Sequence, residues 1–134
     1  MVVMAKYAKG ANAERELIEM FSNKGYAAMR AAGSGVSRFP SADVIASNGK
    51  KTFAIESKAI KSGYVYLERD KIVKLLEFSQ KFGARPYVAV KIKKDDWTFL
   101  PAGKIIATES GNFSITKKSA KENGILFENL ISET

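Results

Sequence analysis

The spacing of hydrophobic residues predicts two amphipathic helices. A period near 3.6 residues predicts a first helix over residues 12–24, which Asn12 can cap and Gly25 can close. Its buried stripe is expected to consist of Leu17, Ile18, Met20 and Phe21. The same period predicts a second helix over residues 69–82, with Gly83 after it. The face of this helix that we expect to be buried consists of Ile72, Leu75, Leu76, Ser79 and Phe82.

Runs of β-branched and aromatic residues predict short strands between and after these helices. The predicted strands cover residues 26–30, 43–46, 52–60, 86–93, 97–100 and 113–116, and a last short helix covers residues 127–131. Asn48-Gly49 signals a hairpin between the second and third strands, and the two strands after the second helix are expected to pair across Lys94-Asp95. The order αβββαββ predicts an α/β fold with a central mixed β-sheet flanked by helices.

The composition indicates one folded domain with a basic surface. The 134 residues are 46% hydrophobic, so we expect a single domain over residues 1–134. Residues 1–10 are expected to form a basic, flexible N-terminal arm. Lysine and arginine number 22 against 14 acidic residues, a formal charge of +8. Such a charge favours a polyanionic partner, nucleic acid first, although an anionic membrane surface or solubility alone would also account for it.

Neither a membrane span nor a signal peptide is expected from the sequence. No apolar run is long enough to cross a bilayer, and the apolar stretch in MVVMAKYAKG is too short for a signal sequence. We therefore expect a cytoplasmic protein with no membrane partner.

Cysteine and histidine, which serve many active sites, are absent from the sequence. Without cysteine there are no disulfides, no thiolate zinc sites and no cysteine nucleophiles. Without histidine there is no Ser–His–Asp triad and no imidazole–metal site. An enzyme of this composition works with carboxylates, lysine, arginine, serine or tyrosine, and oxygen ligands of that kind suit Mg²⁺ or Mn²⁺.

Acidic and basic residues meet on the predicted hairpin. Glu56 and Lys58 share one face of their strand because side chains alternate, and the hairpin brings Asp43 near both. Two carboxylates can hold a divalent cation against a phosphate oxygen, with the Ser57 carbonyl as a further ligand. Lys58 can orient the attacking water or stabilise charge in the transition state. The alternative is that Glu56 and Lys58 form a solvated surface pair and Asp43 caps the loop.

Glu14 is a further acidic candidate because of its place on the first predicted helix. It lies four residues before Ile18, at the N-terminal end of the buried stripe. In one interpretation Glu14 leans over the sheet and joins Asp43 and Glu56 in a metal site. In the other, which its position alone favours, Glu14 compensates the helix dipole together with Glu16.

Four segments in order resemble the archaeal Holliday junction resolvases, a family of the PD-(D/E)xK nuclease superfamily. These segments are KGANAEREL at 9–17, MRAAGSG at 29–35, DVIA at 43–46 and IESK at 55–58. The resemblance continues through YL at 66–67, LEF at 76–78 and YVAVK at 87–91, so it covers most of the chain. It implies a restriction-endonuclease-like nuclease fold.

The resemblance also implies catalytic roles for particular residues. The acidic metal-site residues of the family are matched by Glu14, Asp43 and Glu56. Lys58 matches the catalytic lysine, and Ser34 matches a loop serine needed near the active site. One departure is that the Pro-Asp dipeptide of the superfamily is Ala42-Asp43 here, with Pro40 further upstream.

A DNA-binding surface is implied around this site. Arg15 matches a family residue that contacts the DNA backbone, and further basic residues flank the site in sequence. The basic residues that we expect to contact DNA are Lys6, Lys9, Arg15, Arg30, Arg38 and Lys61, with Lys50 and Lys51 as further candidates. Such contacts with the backbone suit recognition of junction shape rather than base sequence.

The leading hypothesis is a structure-selective endodeoxyribonuclease that resolves four-way (Holliday) DNA junctions. The resemblance implies a homodimer that makes paired cuts with Mg²⁺, for which Mn²⁺ substitutes; a twofold dimer supplies the two sites that two coordinated cuts require. One alternative is a restriction or repair nuclease with the same fold that acts on other DNA structures. Another is a non-catalytic basic DNA-binding module whose acidic residues are caps.

Overall fold

The fold is described by a computed structural model that covers residues 2–31, 38–94, 96–108 and 111–133, with side chains from residue 12 onward except at residue 108. The elements in chain order are α1 (Val2–Ser22), β1 (Ala27–Arg30), β2 (Val44–Ser47), β3 (Thr52–Ala59), β4 (Tyr64–Leu67), α2 (Arg69–Phe82), β5 (Arg85–Lys93), β6 (Asp96–Pro101), α3 (Ala102–Thr108), β7 (Phe113–Thr116), α4 (Lys117–Asn123) and α5 (Phe127–Ser132). None of these helices is long and apolar enough to cross a membrane.

Five strands form the central sheet in the spatial order β1-β2-β3-β5-β6. β3 and β5 run parallel and the other neighbours are antiparallel, so the sheet is mixed, as predicted. β2 and β3 form the predicted hairpin. The side chain of Asn48 accepts hydrogen bonds from the N–H groups of Lys50 (2.9 Å) and Lys51 (2.7 Å), and Gly49 has φ 89°. Glycine adopts that φ at no steric cost, which explains why the local sequence fixes this turn.

The central sheet is buried on both faces because helices cover each side. On one face Phe21 of α1 packs against Phe53 of β3, with 5.8 Å between the ring centroids. On the other face Leu75 of α2 packs in a core that includes Ala54 of β3. Since alternate residues of a strand face opposite ways, Glu56 shares the face of Ala54, under α2. A carboxyl group is thereby placed next to a hydrophobic core.

A second, two-stranded sheet pairs β4 with β7 in antiparallel register from Tyr64–Thr116 to Leu67–Phe113. Its inner face adds Leu67, Phe113 and Ile115 to the core under α2. The sequence analysis predicted β7 but not β4. β4 has four residues and pairs with a strand far along the chain, so local spacing carries little signal for it.

The first helix begins at Val2 instead of at residue 12, so most of the segment expected to form an arm is helical. Asn12 was interpreted as a cap because its side chain can accept a hydrogen bond from the helix N-terminus. Here Asn12 lies inside α1, and its Oδ1 accepts from Nη1 of Arg15 (3.1 Å). Gly10 adds a second misleading signal, although one glycine in a helix costs only about 1 kcal/mol.

The later helices differ from prediction in two ways. α2 has the predicted bounds, but Phe82 is 55% exposed and stacks on Phe78 (5.1 Å between centroids) instead of packing inside. α3 and α4 were not predicted, since seven residues span too few turns to show a period. The N-terminus of α4 is fixed by a capping box in which Thr116 and Ser119 exchange hydrogen bonds of 3.0 Å.

Candidate active site

Asp43 lies at the start of the β2–β3 hairpin, where hydrogen bonds fix it. Its N–H donates to the carbonyl of Ile55 (2.8 Å), and its own carbonyl accepts from the N–H of Ala31 (2.9 Å). Oδ2 of its side chain accepts from the N–H of Ser57 (2.9 Å). The residue is 7% exposed. The hairpin therefore holds this carboxyl group against β3, as the sequence predicted.

Glu56 is a second buried carboxyl group of the hairpin, also 7% exposed. Burial, the charge of Asp43 and a hydrogen bond between the two side chains raise the pKa of Glu56 to about 8 from an ordinary 4.5. Two carboxyl groups in contact away from water do not both ionise readily, because each negative charge opposes the other. The pair therefore favours either a shared proton or a bound cation.

Two lysines lie close enough to Glu56 for their charges to lower its pKa. Lys58 follows two residues later on β3, as predicted. Lys71 belongs to the first turn of α2, and the sequence analysis did not single it out. Its place depends on the packing of α2 against β3. The available sequence signal is that Lys71 adjoins Ile72, the first residue of the buried face of α2.

Glu14 lies near the pair but has a partner of its own. Nε of Arg30 donates to Oε1 of Glu14 at 3.0 Å. Burial raises the pKa of Glu14, the hydrogen bond from Arg30 opposes that rise, and the charge of Asp43 adds to it. In the described part of the chain, no three or more acidic side chains lie close enough together to hold one metal ion. The structure thus joins Asp43 with Glu56, and Glu14 stays outside their cluster.

The Asp43–Glu56 pair nevertheless has the chemistry of a hard-cation site. Mg²⁺ prefers oxygen ligands and is commonly held by one or two carboxylates, with water and substrate phosphate completing its shell. A divalent ion would also replace the proton that the raised pKa of Glu56 retains, and would remove the repulsion between the two carboxylates. These two residues could hold Mg²⁺ or Mn²⁺, with Glu14 as a ligand if it exchanged Arg30 for the ion.

Several of the basic residues predicted to contact DNA are exposed. Arg15, Lys50 and Lys61 have exposed side chains. Arg38 is exposed as well, with its guanidinium 5.0 Å from the centroid of the Phe39 ring. Their exposure is compatible with phosphate contacts, which need side chains that reach solvent.

Other predicted DNA contacts have different surroundings or lie outside the described residues. Arg30 pairs with Glu14, as above, and Nζ of Lys51 donates to the carbonyls of Ile131 (2.5 Å) and Glu133. Lys51 therefore fastens the C-terminal segment to the hairpin. Ser34 and the side chains of Lys6 and Lys9, for which roles were predicted, lie outside the part of the chain that the structure describes.

Two cavities of the described part of the chain lie away from this pair. One of about 520 Å³ is lined by residues of α1, β6 and α5 that include Met20 and Trp97, and another of about 310 Å³ is lined by residues that include Ile105 and Phe113. Neither is lined by Asp43 or Glu56. A phosphodiester within a DNA duplex needs an open surface, so an enclosed pocket is not required at the candidate site.

Comparison with known proteins gives a consistent result. Residues 5–134 match the family model described as archaeal Holliday junction resolvase (Hjc). The crossover junction endodeoxyribonuclease Hjc of Archaeoglobus fulgidus is 43% identical over 108 residues, which cover 81% of this chain and 79% of that protein. The Hjc of Sulfolobus acidocaldarius is 32% identical over 130 residues, 96% of this chain and 90% of that protein.

Solved structures extend this similarity to the fold. The structure of Archaeoglobus fulgidus Hjc, a Holliday junction resolvase, matches with a TM-score of 0.79 and 34% identity over 91% of this chain and 99% of that one. A bacterial homing endonuclease matches with a TM-score of 0.55 and 10% identity, over 92% and 88% of the two chains. At 10% identity, this second match supports only the similarity of the fold.

Proposed function

Because the chain belongs to the archaeal Holliday junction resolvase (Hjc) family, we propose that it is a structure-selective endodeoxyribonuclease that resolves four-way DNA junctions. The observation that carries this proposal is the buried contact between Asp43 and Glu56, with the charge of Lys58 beside them. In a non-catalytic DNA-binding module these two carboxyl groups would not help binding, because they oppose each other's ionisation and repel phosphate.

The proposed reaction is hydrolysis of a phosphodiester bond at this pair. Asp43 and Glu56 would hold Mg²⁺, or Mn²⁺ in its place, with Glu14 as a third ligand. When bound, the ion polarises a phosphate oxygen and lowers the pKa of a coordinated water. The hydrogen bond from the N–H of Ser57 fixes the position of the Asp43 carboxylate before substrate arrives.

Lys58 has the second part in the proposed reaction. Its charge lies near Glu56, on the same face of β3, where a scissile phosphate bound to the carboxylate pair would come. The ammonium group can orient the attacking water or offset the negative charge that grows on the phosphate oxygens. Ser34, which lies outside the described residues, is proposed to act near the same phosphate.

Junction resolution requires two cuts, so the assembled protein needs two active sites. We propose a homodimer, since a twofold axis places two identical sites on opposing strands of the junction. Exposed basic residues, among them Arg15, Arg38 and Lys61, would bind the DNA backbone without reading its sequence. A cytoplasmic location, where archaeal DNA is found, completes the proposal.

Cleavage of a labelled, immobile four-way junction tests the function. The wild-type chain should nick two opposing strands with Mg²⁺ or Mn²⁺ present, and should leave the junction intact in EDTA. Asp43→Asn and Glu56→Gln should each lower the cleavage rate at least a hundredfold, because each removes a charged ligand, while junction binding persists. Glu19→Gln, at an exposed carboxylate of α1, is the matched control and should cut at the wild-type rate. Wild-type rates in both pair variants would exclude this site.

The choice of substrate separates this proposal from a restriction or repair nuclease. In the same assay, linear duplex and flap DNA of the same sequence serve as competitors and as substrates. Preference for the four-way junction by at least tenfold is expected. Equal cleavage of all three substrates would retain the active site but refute junction selectivity.

A further inference from the structure

The outer face of the β4–β7 sheet carries two exposed aromatic rings. Tyr64 is 59% exposed and Tyr66 53% exposed, and they pair across the strands with Thr116 and Ser114, which are exposed too. We call these four residues the tyrosine face. A single exposed aromatic residue is ordinary. Two of them on the same face of one short strand form a contiguous surface that offers both rings and hydroxyl groups.

Basic residues predominate in the two segments that carry the tyrosine face. The segments 57–67 and 111–121, which contain its two strands, include no acidic residue. Their basic residues are Lys58, Lys61, Lys117, Lys118 and Lys121. Lys118 and Lys121 pair with acidic side chains at 4.0 Å and 3.7 Å, whereas the exposed Lys61 and Lys117 lie close in sequence to Tyr64 and its partner Thr116. The charge complements a polyanion.

The tyrosine face is joined by hydrogen bonds to the N-terminus of α2, which lies near the candidate active site. Nδ2 of Asn112 donates to the hydroxyl of Tyr66 (2.6 Å), and Oδ1 of Asn112 accepts from the N–H of Arg69 (2.8 Å). Arg69 is the first residue of α2. The charge of Lys71, in the same turn, lowers the pKa of Glu56. The face and the carboxylate pair therefore each have a neighbour in the first turn of the same helix.

We propose that the tyrosine face binds the DNA strand that adjoins the scissile phosphate of a junction arm. The proposal rests on the proposed function, since it extends the substrate site of that reaction. Tyrosine, serine and threonine hydroxyls donate hydrogen bonds to phosphate oxygens, and the lysines neutralise their charge. The rings can stack on bases that lose their stacking partner where strands exchange at a branch point. This surface lies beyond the residues that hold the metal.

Binding of a fluorescent four-way junction, measured by anisotropy in EDTA, tests the tyrosine face without cleavage. The full chain with Tyr64→Ser and Tyr66→Ser should bind with a dissociation constant at least tenfold above the wild type. Leu126→Ser is the matched control, since Leu126 is also large and exposed but lies outside this face, and its change should stay under twofold.

Two results would overturn the proposal. One is a double variant that is folded by circular dichroism and binds the junction within twofold of the wild type. The other is a changed sedimentation coefficient of the DNA-free variant, which would mean that the face packs against a second copy of the chain. If the double variant does not fold, Tyr64→Ser alone keeps the hydrogen bond between Tyr66 and Asn112, and a rise of at least threefold is expected.

The proposed function can fail separately. A wild-type chain that never cuts junctions with Mg²⁺ refutes it, whereas the comparison of dissociation constants in EDTA still measures what the tyrosine face contributes to DNA binding.

Discussion

Single residues of the hairpin carry an electrostatic cost that the rest of the fold has to offset. Asp43 and Glu56 are each 7% exposed and share a hydrogen bond, so the folded protein holds two carboxyl groups where one charge disfavours the other. Groups whose pKa is strongly displaced by burial and by a like-charged neighbour are common at functional sites. At this scale the candidate site is defined by two buried carboxyl groups that oppose each other's ionisation, with the charges of Lys58 and Lys71 only partly offsetting the effect.

The metal-free protein should lose stability as the pH rises, because of Glu56. Its pKa is about 8 in the folded protein against 4.5 when unperturbed, so the folded state holds the proton more tightly. The resulting stabilisation is complete below pH 4.5 and is lost as the pH rises through 8. In EDTA, the melting temperature should therefore fall between pH 5 and pH 8.5. Glu56→Gln should flatten that dependence, and equal slopes for both proteins would contradict the assignment.

Removal of Lys71 should move the pH dependence of cleavage. The charge of Lys71 lowers the pKa of Glu56, so Lys71→Gln should raise that pKa and make the carboxylate available to a metal only at higher pH. The acid limb of the pH–rate profile should shift to higher pH at fixed Mg²⁺ concentration. Lys74→Gln is the control on the next turn of α2, where Lys74 pairs with Asp70 at 3.2 Å. If the pH–rate profiles of the two variants are identical, Lys71 does not influence the candidate site.

Elements of the fold bring the site together from both sides of the central sheet. The β2–β3 hairpin carries Asp43 and Glu56, and α2 covers their face with Lys71. From the other side α1 places Glu14 near Asp43, outside the pair. The parallel pairing of β3 with β5 needs a crossover, and β4 and α2 form that crossover. The C-terminal elements then close over β6, where Phe99 exchanges backbone hydrogen bonds with Ile125 (2.8 and 2.9 Å).

Gly124 is a point in this closure where a side chain does not fit. A Cβ atom there would lie 1.9 Å from Oγ1 of Thr98 and 2.7 Å from the carbonyl oxygen of Ala120. Gly124→Ala should therefore lower the free energy of unfolding by about 1–3 kcal/mol, measured by urea denaturation. Gly103→Ala in α3 is the control, since no atom lies within 4 Å of its Cβ position, and it should be neutral or stabilise by up to about 1 kcal/mol. Equal effects would contradict the packing around Thr98.

The whole molecule combines a net charge of +8 with a local cluster of carboxylates. The basic surface favours binding of nucleic acid, while the acidic pair repels phosphate unless a cation neutralises it. Junction affinity should thus depend mainly on monovalent salt, which screens the whole basic surface. Cleavage should depend on a divalent ion, which is expected to act only at Asp43 and Glu56.

Salt dependence should measure how many phosphates the surface contacts. Junction affinity should fall at least about a hundredfold between 50 and 200 mM salt if several lysines and arginines contact phosphates, because each contact releases counterions. Lys61→Ala should reduce the slope of the logarithm of affinity against the logarithm of salt concentration by about one. Lys24→Ala should leave the slope unchanged, since Lys24 already pairs with Glu128 at 3.4 Å. A slope near zero in the wild type would refute backbone recognition.

Local sequence determined much of the fold. Residues 69–82 were predicted as a helix with the observed bounds, because a full apolar stripe and Gly83 define it locally. Asn48-Gly49 fixed the hairpin for the same reason, and strand alternation alone placed Glu56 and Lys58 together. The resemblance of four short segments then indicated the family, which the matches over residues 5–134 confirmed. The roles of the site residues and the homodimer remain predictions.

Tertiary structure alone decided the features that depend on residues far apart in the chain. The pairing of β4 with β7, the charge of Lys71 near Glu56, and the hydrogen bond from Lys51 to a carbonyl 80 residues away have no local signal. The same holds for Glu14, for which the sequence left open a metal site or compensation of the helix dipole, and which pairs with Arg30 in the structure. Periodicity reports which side of an element is buried. It does not report which element covers that side, because this depends on how all the buried faces pack together.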